Sequence, residues 1–310
     1  MNHLREQAPP PPVVPPECSD CSLPAAITCL WPAKAILGEG LAYDPATNVI
    51  WFVDIKNPRL FRYGLSDGSR KIWQLPAEVS ALALPSGAWI PPFTVETTLL
   101  CVGKGGFAWL AIKEDKVLLH PIANPEPDRT RNRFNDGKLG PDECFYAGTM
   151  DDSEIEASGA FYVMDKDGFV TCLDDGYLVT NGPAFSPDGR TLYENDSARR
   201  RTYAFDLSKH GEVSGRRIFH AFSEEDGSPD GMTTDASGHL WIAMWDGGRI
   251  QRLGPTGARA GFIEIPVIRP TSCAFLSDGR LAFTSASLGL SDKSPLDGGL
   301  FVAELREVPK

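Results

Sequence analysis

The sequence has no long apolar run, few histidines, no regular cysteine framework and no excess of positive charge. Each shortage argues against a class of protein. Its apolar stretches are short, such as 99–102 and 109–112, and far below the roughly 20 residues of a membrane-spanning helix. Lys and Arg number 30 against 41 Asp and Glu, a formal charge of −11 over 310 residues. No basic stripe exists to follow a phosphate backbone, so neither nucleic acid nor membrane is an expected partner. The one basic cluster, Arg199-Arg200-Arg201, reads as a solvated turn. The 7 cysteines are odd in number and unevenly spaced, which does not suit a disulfide scaffold. Cys18-Ser19-Asp20-Cys21 is a lone C-x-x-C without a second pair, so no structural zinc is expected there. The N-terminus lacks an apolar signal core, and the expectation is a cytoplasmic protein with reduced thiols. Asn195-Asp196-Ser197 matches a glycosylation acceptor, which would matter only after secretion.

Familiar catalytic signatures are missing as well. There is no GxSxG, HExxH or GxxxxGK[ST]. His120, His210, His220 and His239 stand apart from the acidic positions described next. Helical periodicity is weak throughout.

What the chain does have is a repeat. After a proline-rich stretch, residues 1–25, which is expected to be a disordered tail, five segments share one pattern: 40–55, 137–150, 182–197, 231–245 and 272–286. Each is a short apolar strand, a polar turn and a second apolar or aromatic strand. Two turns are near copies, Ser186-Pro187-Asp188-Gly189-Arg190 and Ser277-Asp278-Gly279-Arg280. A third strand follows in several copies, for example 59–64, 201–206 and 249–254. The first interval is about twice the others, and residues 79–92 with 99–113 supply the divergent copy inside it. Six hairpin-rich units of this period predict an all-β, six-bladed β-propeller over residues 26–310. Residues 27–31 and 33–37 lack a partner locally and are expected to supply the outer strand of the last blade, which closes the ring.

The residue before each first strand carries the chemistry. Glu39 precedes Gly40, Asp136 precedes Gly137 with Asn135 beside it, Asn181 precedes Gly182, and Asp230 precedes Gly231; the last copy has Thr271 before Ser272. Any one such pair reads as an ordinary Asn-Gly or Asp-Gly turn. Four in one register predict a ring of oxygens at one end of a central channel. Converging carboxylates repel one another unless a cation joins them. An all-oxygen set suits calcium first, with magnesium or manganese next and zinc or iron(II) also possible.

At these residues the sequence resembles the regucalcin/gluconolactonase family, also called senescence marker proteins. The motifs that carry the resemblance are Leu37-Gly38-Glu39-Gly40, Asn132 to Lys138, Ala147-Gly148-Thr149-Met150, Asn181-Gly182-Pro183 and Pro229-Asp230-Gly231-Met232. It spans about residues 28–304. The resemblance implies a propeller with one divalent metal held by Glu39, Asn181 and Asp230. It also implies hydrolysis of a sugar lactone such as gluconolactone or xylonolactone, with Arg133 and Asn135 contacting substrate. The repeat register adds Asp136 to those contacts. Asp230 is the expected general base. The other readings are an organophosphate or aryl-ester hydrolase on the same scaffold, and a calcium-binding propeller without catalysis. A monomer or weak homodimer is expected. The sequence departs from the family pattern at Ser153, where some members carry a substrate-holding glutamate. The proline-rich 85–98 insertion is expected as a lid over the channel.

Overall fold

A computed structural model describes residues 21–95, 97–209 and 211–305. The tail assigned to residues 1–25 falls mainly outside these, as do Cys18 of the C-x-x-C pair and His210.

The described chain forms six four-stranded antiparallel sheets. Five are consecutive: 38–74, 79–123, 132–177, 180–221 and 228–264 form blades 1 to 5. Blade 6 takes three strands from the C-terminal part, Pro270–Phe275, Leu281–Ser285 and Leu300–Leu305, and its outer strand from the N-terminal part, Ala25–Trp31. The two ends of the chain therefore pair, Ala25 opposite Leu305 and Thr28 opposite Val302. Residues 33–37 do not join that strand; Leu37 makes only an isolated bridge to Ala286. Order also begins earlier than residue 26, because Ser22 bridges Phe262 and Leu23 N–H donates to Phe262 O on blade 5. The only helix among the described residues is a 3-10 turn, Glu224–Asp226.

The second strand of each blade explains the packing. In Val49–Asp54 every residue is buried. Alternate side chains point to opposite faces, so Val49, Trp51 and Val53 pack toward blade 2 while Ile50 and Phe52 pack toward blade 6. Six apolar clusters result, one at each blade interface. Trp31 locks the closure by lying edge-on to Phe61 of blade 1 at 5.3 Å.

The inner strands share one irregularity. In every blade the register slips near the same place: between 39 and 42, 79 and 81, 134 and 136, 181 and 184, 229 and 232, and 270 and 273. The pairs Glu39-Gly40, Asn181-Gly182 and Asp230-Gly231, which look like turns in the sequence, thus lie at bulges within strands, a device that re-aims side chains beside binding sites. Gly40 shows why glycine stands there. Its φ is +60°, and a Cβ would meet Ser80 O of the next blade at 2.7 Å.

The 85–98 insertion leaves the far end of the channel, so it is not a lid over the site. The strand Val79–Ala83 starts beside the bulges, and at its other end Leu82, Ala83 and the following Leu84 line a separate hollow with Tyr43, Leu139 and Phe275. From there Trp89 donates to Glu143 O at 2.8 Å and Phe93 stacks on His120 at 4.2 Å.

Candidate functional site

A cavity of about 450 Å³ opens at the end of the channel where the bulges lie. Glu39, Asn181 and Asp230 line it together with Arg133 and Asn135. All but Asn135 are at least nine-tenths buried. No histidine lines it.

Two repeated aspartates set inner strands, and a third stands at the matching place in blade 3. Asp54 accepts Ile36 N–H at 2.9 Å and Leu37 N–H at 3.1 Å, just before Glu39. Asp196 does the same for Leu178 and Val179, just before Asn181. Asp151, at the matching place in blade 3, receives Ser153 Oγ at 2.6 Å and the N–H of Glu156 at 3.1 Å. Ser153 is therefore tied down beside its own strand.

Blade 4 braces the neighbouring site residues. Asn181 Nδ2 donates to Ser197 Oγ at 2.9 Å, and Ser197 Oγ donates to Pro229 O at 2.5 Å. Asn195 Nδ2 donates to Asp230 O at 2.7 Å while its Oδ1 accepts Thr202 Oγ1 at 2.6 Å. Asn195 is fully buried, so the apparent glycosylation acceptor is a structural brace of Asp230. Sequence reasoning missed both braces; the blade 5 carbonyls that they reach, 35 and 32 residues on, carry no local signal.

The acidic groups are strained by one another. Burial, then the nearby Asp230 and Asp136, push Glu39 well above the usual carboxylate range. Asp230 is raised in the same way by burial and Asp136. Glu39 Oε2 accepts Gly40 N–H and Asp230 Oδ1 accepts Gly231 N–H, each at 3.0 Å. The other oxygen of each carboxylate accepts no backbone N–H among the described residues. Two carboxyls and one amide, each with an oxygen to offer, fit a single hard cation. No three Asp, Glu, His or Cys side chains among the described residues are placed to hold a metal ion by themselves; the third donor here is the Asn181 amide.

Asp136, expected among the substrate contacts, does not line the cavity. Its Oδ1 accepts Gly137 N–H at 2.7 Å and its Oδ2 accepts Gly182 N–H at 3.1 Å. Blade 3 explains the difference: its register skips Asn135, so the extra residue of the bulge is Asn135 and Asp136 returns to the ladder. Asn135 faces the site, donating to Thr180 O at 2.7 Å and Asn181 Oδ1 at 3.1 Å. Burial lifts Asp136 to about 7, against the pull of Lys138 and the two amides.

One buried acid serves neither the cavity nor a bond. Glu194 is fully buried, and neither carboxylate oxygen has a hydrogen-bond partner. Burial, then Asp136, Asp174 and Asp196, push it well above the usual range. A raised folded value means that its stabilising contribution is complete below the unfolded pKa of about 4.3 and is lost as pH rises through the folded value. Glu194→Leu should therefore stabilise the protein by about 1–3 kcal/mol near neutral pH, and by less at pH 4. Urea unfolding at both pH values reads the difference. A variant less stable at pH 7 would show that Glu194 is partnered in solution.

Comparison with known proteins supports the propeller fold. A sequence profile described as the SMP-30/Gluconolactonase/LRE-like region matches residues 37–287. Regucalcin of Gallus gallus is 32% identical over 289 residues, covering 89% of this chain and 93% of that protein. L-arabinolactonase of Azospirillum brasilense is 31% identical over 287 residues, covering 90% and 92%. Among solved structures, a calcium-binding protein, regucalcin, from Agrobacterium tumefaciens superposes with a TM-score of 0.83 at 29% identity, covering 92% of this chain and 95% of that one.

Proposed function

This chain belongs to the SMP-30/gluconolactonase/LRE-like family, and we propose on that premise that its cavity hydrolyses a sugar lactone to the open aldonic acid with the help of one divalent cation. The observation that carries the proposal is the convergence of Glu39, Asn181 and Asp230 in a cavity that Arg133 and Asn135 also line. Calcium is the first candidate for the cation, because the donor set is all oxygen and the Agrobacterium relative is described as calcium-binding. L-arabinolactonase among the relatives supports a lactone substrate.

Glu39, Asn181 and Asp230 would hold the cation. When bound, it would polarise the lactone carbonyl and acidify water. The chain supplies the remaining steps. Asp230 takes a proton from the attacking water while its Oδ1 stays on Gly231 N–H. The C–O bond to the ring oxygen then breaks, and that oxygen recovers the proton as the new hydroxyl. Arg133 and Asn135 orient the ring hydroxyls, the guanidinium as a fixed fork of donors.

The cavity composition favours hydroxylated lactones over aryl phosphotriesters. Polar and charged residues outnumber apolar ones in its lining, with Trp245 as the one aromatic ring. Acid release from a panel of aldonolactones, run beside an aryl phosphotriester, tests the reading. Faster turnover of a lactone supports it. Turnover of the phosphotriester alone, or cation binding with no turnover, overturns it.

A further inference from the structure

One side of the cavity has no part in the scheme above. The six blades follow one another around the ring, so blade 6 stands opposite blade 3. Blade 3 carries Arg133 and Asn135. Blade 6 places neither an acid nor an amide at the matching step. Its Thr271 is fully buried, donates to Gly38 O, stands 2.9 Å from Thr284 Oγ1 and does not line the cavity. Leu288, just past the second strand of blade 6, lines the cavity in its stead. Leu37, which leads into blade 1, and Trp245 of blade 5 line it beside Leu288, and the three pack on one apolar cluster. The backbone of this wall is committed elsewhere: Leu37 O accepts Ile55 N–H at 3.0 Å, and Leu288 N–H donates to Ile36 O at 2.9 Å.

One side chain behind the wall holds it. Arg269 does not itself line the cavity. Its guanidinium lies over the Trp245 ring, 4.7 Å from the centroid. Nη1 donates to Leu288 O, and Nε and Nη2 donate to the two carboxylate oxygens of Asp246 at 2.5 and 3.3 Å. Three lining residues from two blades thus converge on one cation outside the cavity. Asp246 is about half exposed, so the ion pair contributes little to stability. Its effect is to orient the wall.

We propose that Leu37, Trp245 and Leu288 form a specificity wall that selects a lactone with a methyl group where a hexonic acid carries a hydroxymethyl group, with Arg269 as the positioning residue of that wall. The proposal rests on the lactonase reading and narrows its substrate class to 6-deoxy sugar lactones. With the lactone carbonyl over Glu39, Asn181 and Asp230 and its hydroxyls on Arg133 and Asn135, the carbon substituent on the far side meets blade 6. A methyl group there exchanges water for apolar contact. A hydroxymethyl group brings a hydroxyl against Leu37 and Leu288, which have no free partner for it.

Matched lactones that differ only at C6 test the wall: fuconolactone against galactonolactone, and rhamnonolactone against mannonolactone, each pair in one configuration. The deoxy member of at least one pair should have the higher kcat/KM by about tenfold or more, the scale on which an apolar pocket separates such groups. Leu288→Asn should bring that ratio close to one. Arg269→Gln should lower it in part, chiefly through KM, and Arg269→Lys, which keeps a cation over Trp245, should recover some of the loss. A merely structural role for Arg269 would slow both members alike and leave the ratio unchanged. Binding gives a second readout that needs no turnover: 1,5-anhydrofucitol against 1,5-anhydrogalactitol, cyclic polyols with no carbonyl, followed by ligand-observed NMR. Preferential binding of the methyl-bearing polyol, lost in Leu288→Asn, supports the wall even if no lactone is turned over, and in that case only the lactonase reading fails. Equal binding of the two polyols overturns the wall. Hydroxymethyl lactones turned over as fast as their deoxy partners in both pairs also overturn it and leave the lactonase reading standing.

Discussion

Asp230→Asn is expected to lower lactone turnover by on the order of 10³-fold, within the range of a lost general base, and to weaken cation binding with it. The substitution keeps the size of the side chain and an oxygen to accept Gly231 N–H. What it removes is the negative charge and the proton site. Glu39→Gln should lose cation binding for the same reason. The stability change runs the other way. Glu39 and Asp230 are buried together and each is pushed toward its protonated form, so removing one charge relieves repulsion with the other. Each variant should melt at a higher temperature than wild type in chelator. Steady-state kinetics, calorimetric cation titration and thermal melts on the same preparations give all three readings. A variant that keeps both its cation and its activity removes that residue from the site.

Cation affinity is expected to rise with pH above the ordinary carboxylate range, by up to about tenfold per pH unit for each proton displaced. The direction follows from the raised values of Glu39 and Asp230. Before the cation binds, the acids retain protons to higher pH than free carboxyls do. Binding must displace those protons, so acid weakens the complex and base strengthens it. Calorimetry in two buffers of different ionisation enthalpy counts the protons released. A constant affinity above that range would mean that both carboxylates are ionised without the cation. The account of a ring strained by its own charge would then fail.

The blade count and the ring of site residues were legible because the bulges recur. Each X-Gly pair is weak evidence alone, but all sit at the same step of a repeating unit and therefore at the same end of the channel. The direction of a single side chain was not legible. Asn135 and Asp136 are adjacent, and the register slip in blade 3 decides that Asn135 faces the cavity while Asp136 holds Gly182 N–H. The path of the 85–98 insertion was equally hidden. Proline content shows that it interrupts the blade, whereas its exit point depends on which end of Val79–Ala83 meets the channel mouth. The braces Asn195 and Ser197 are contacts between blades. No periodicity along the chain encodes them.

The most direct test of the central claim is a titration of chelated protein with calcium, magnesium, manganese, zinc or iron(II), with lactone turnover measured on the same samples. The account predicts that chelation abolishes turnover and that one equivalent of one cation restores it. Turnover that survives complete chelation, or a tightly bound cation with no turnover of any lactone, would contradict it.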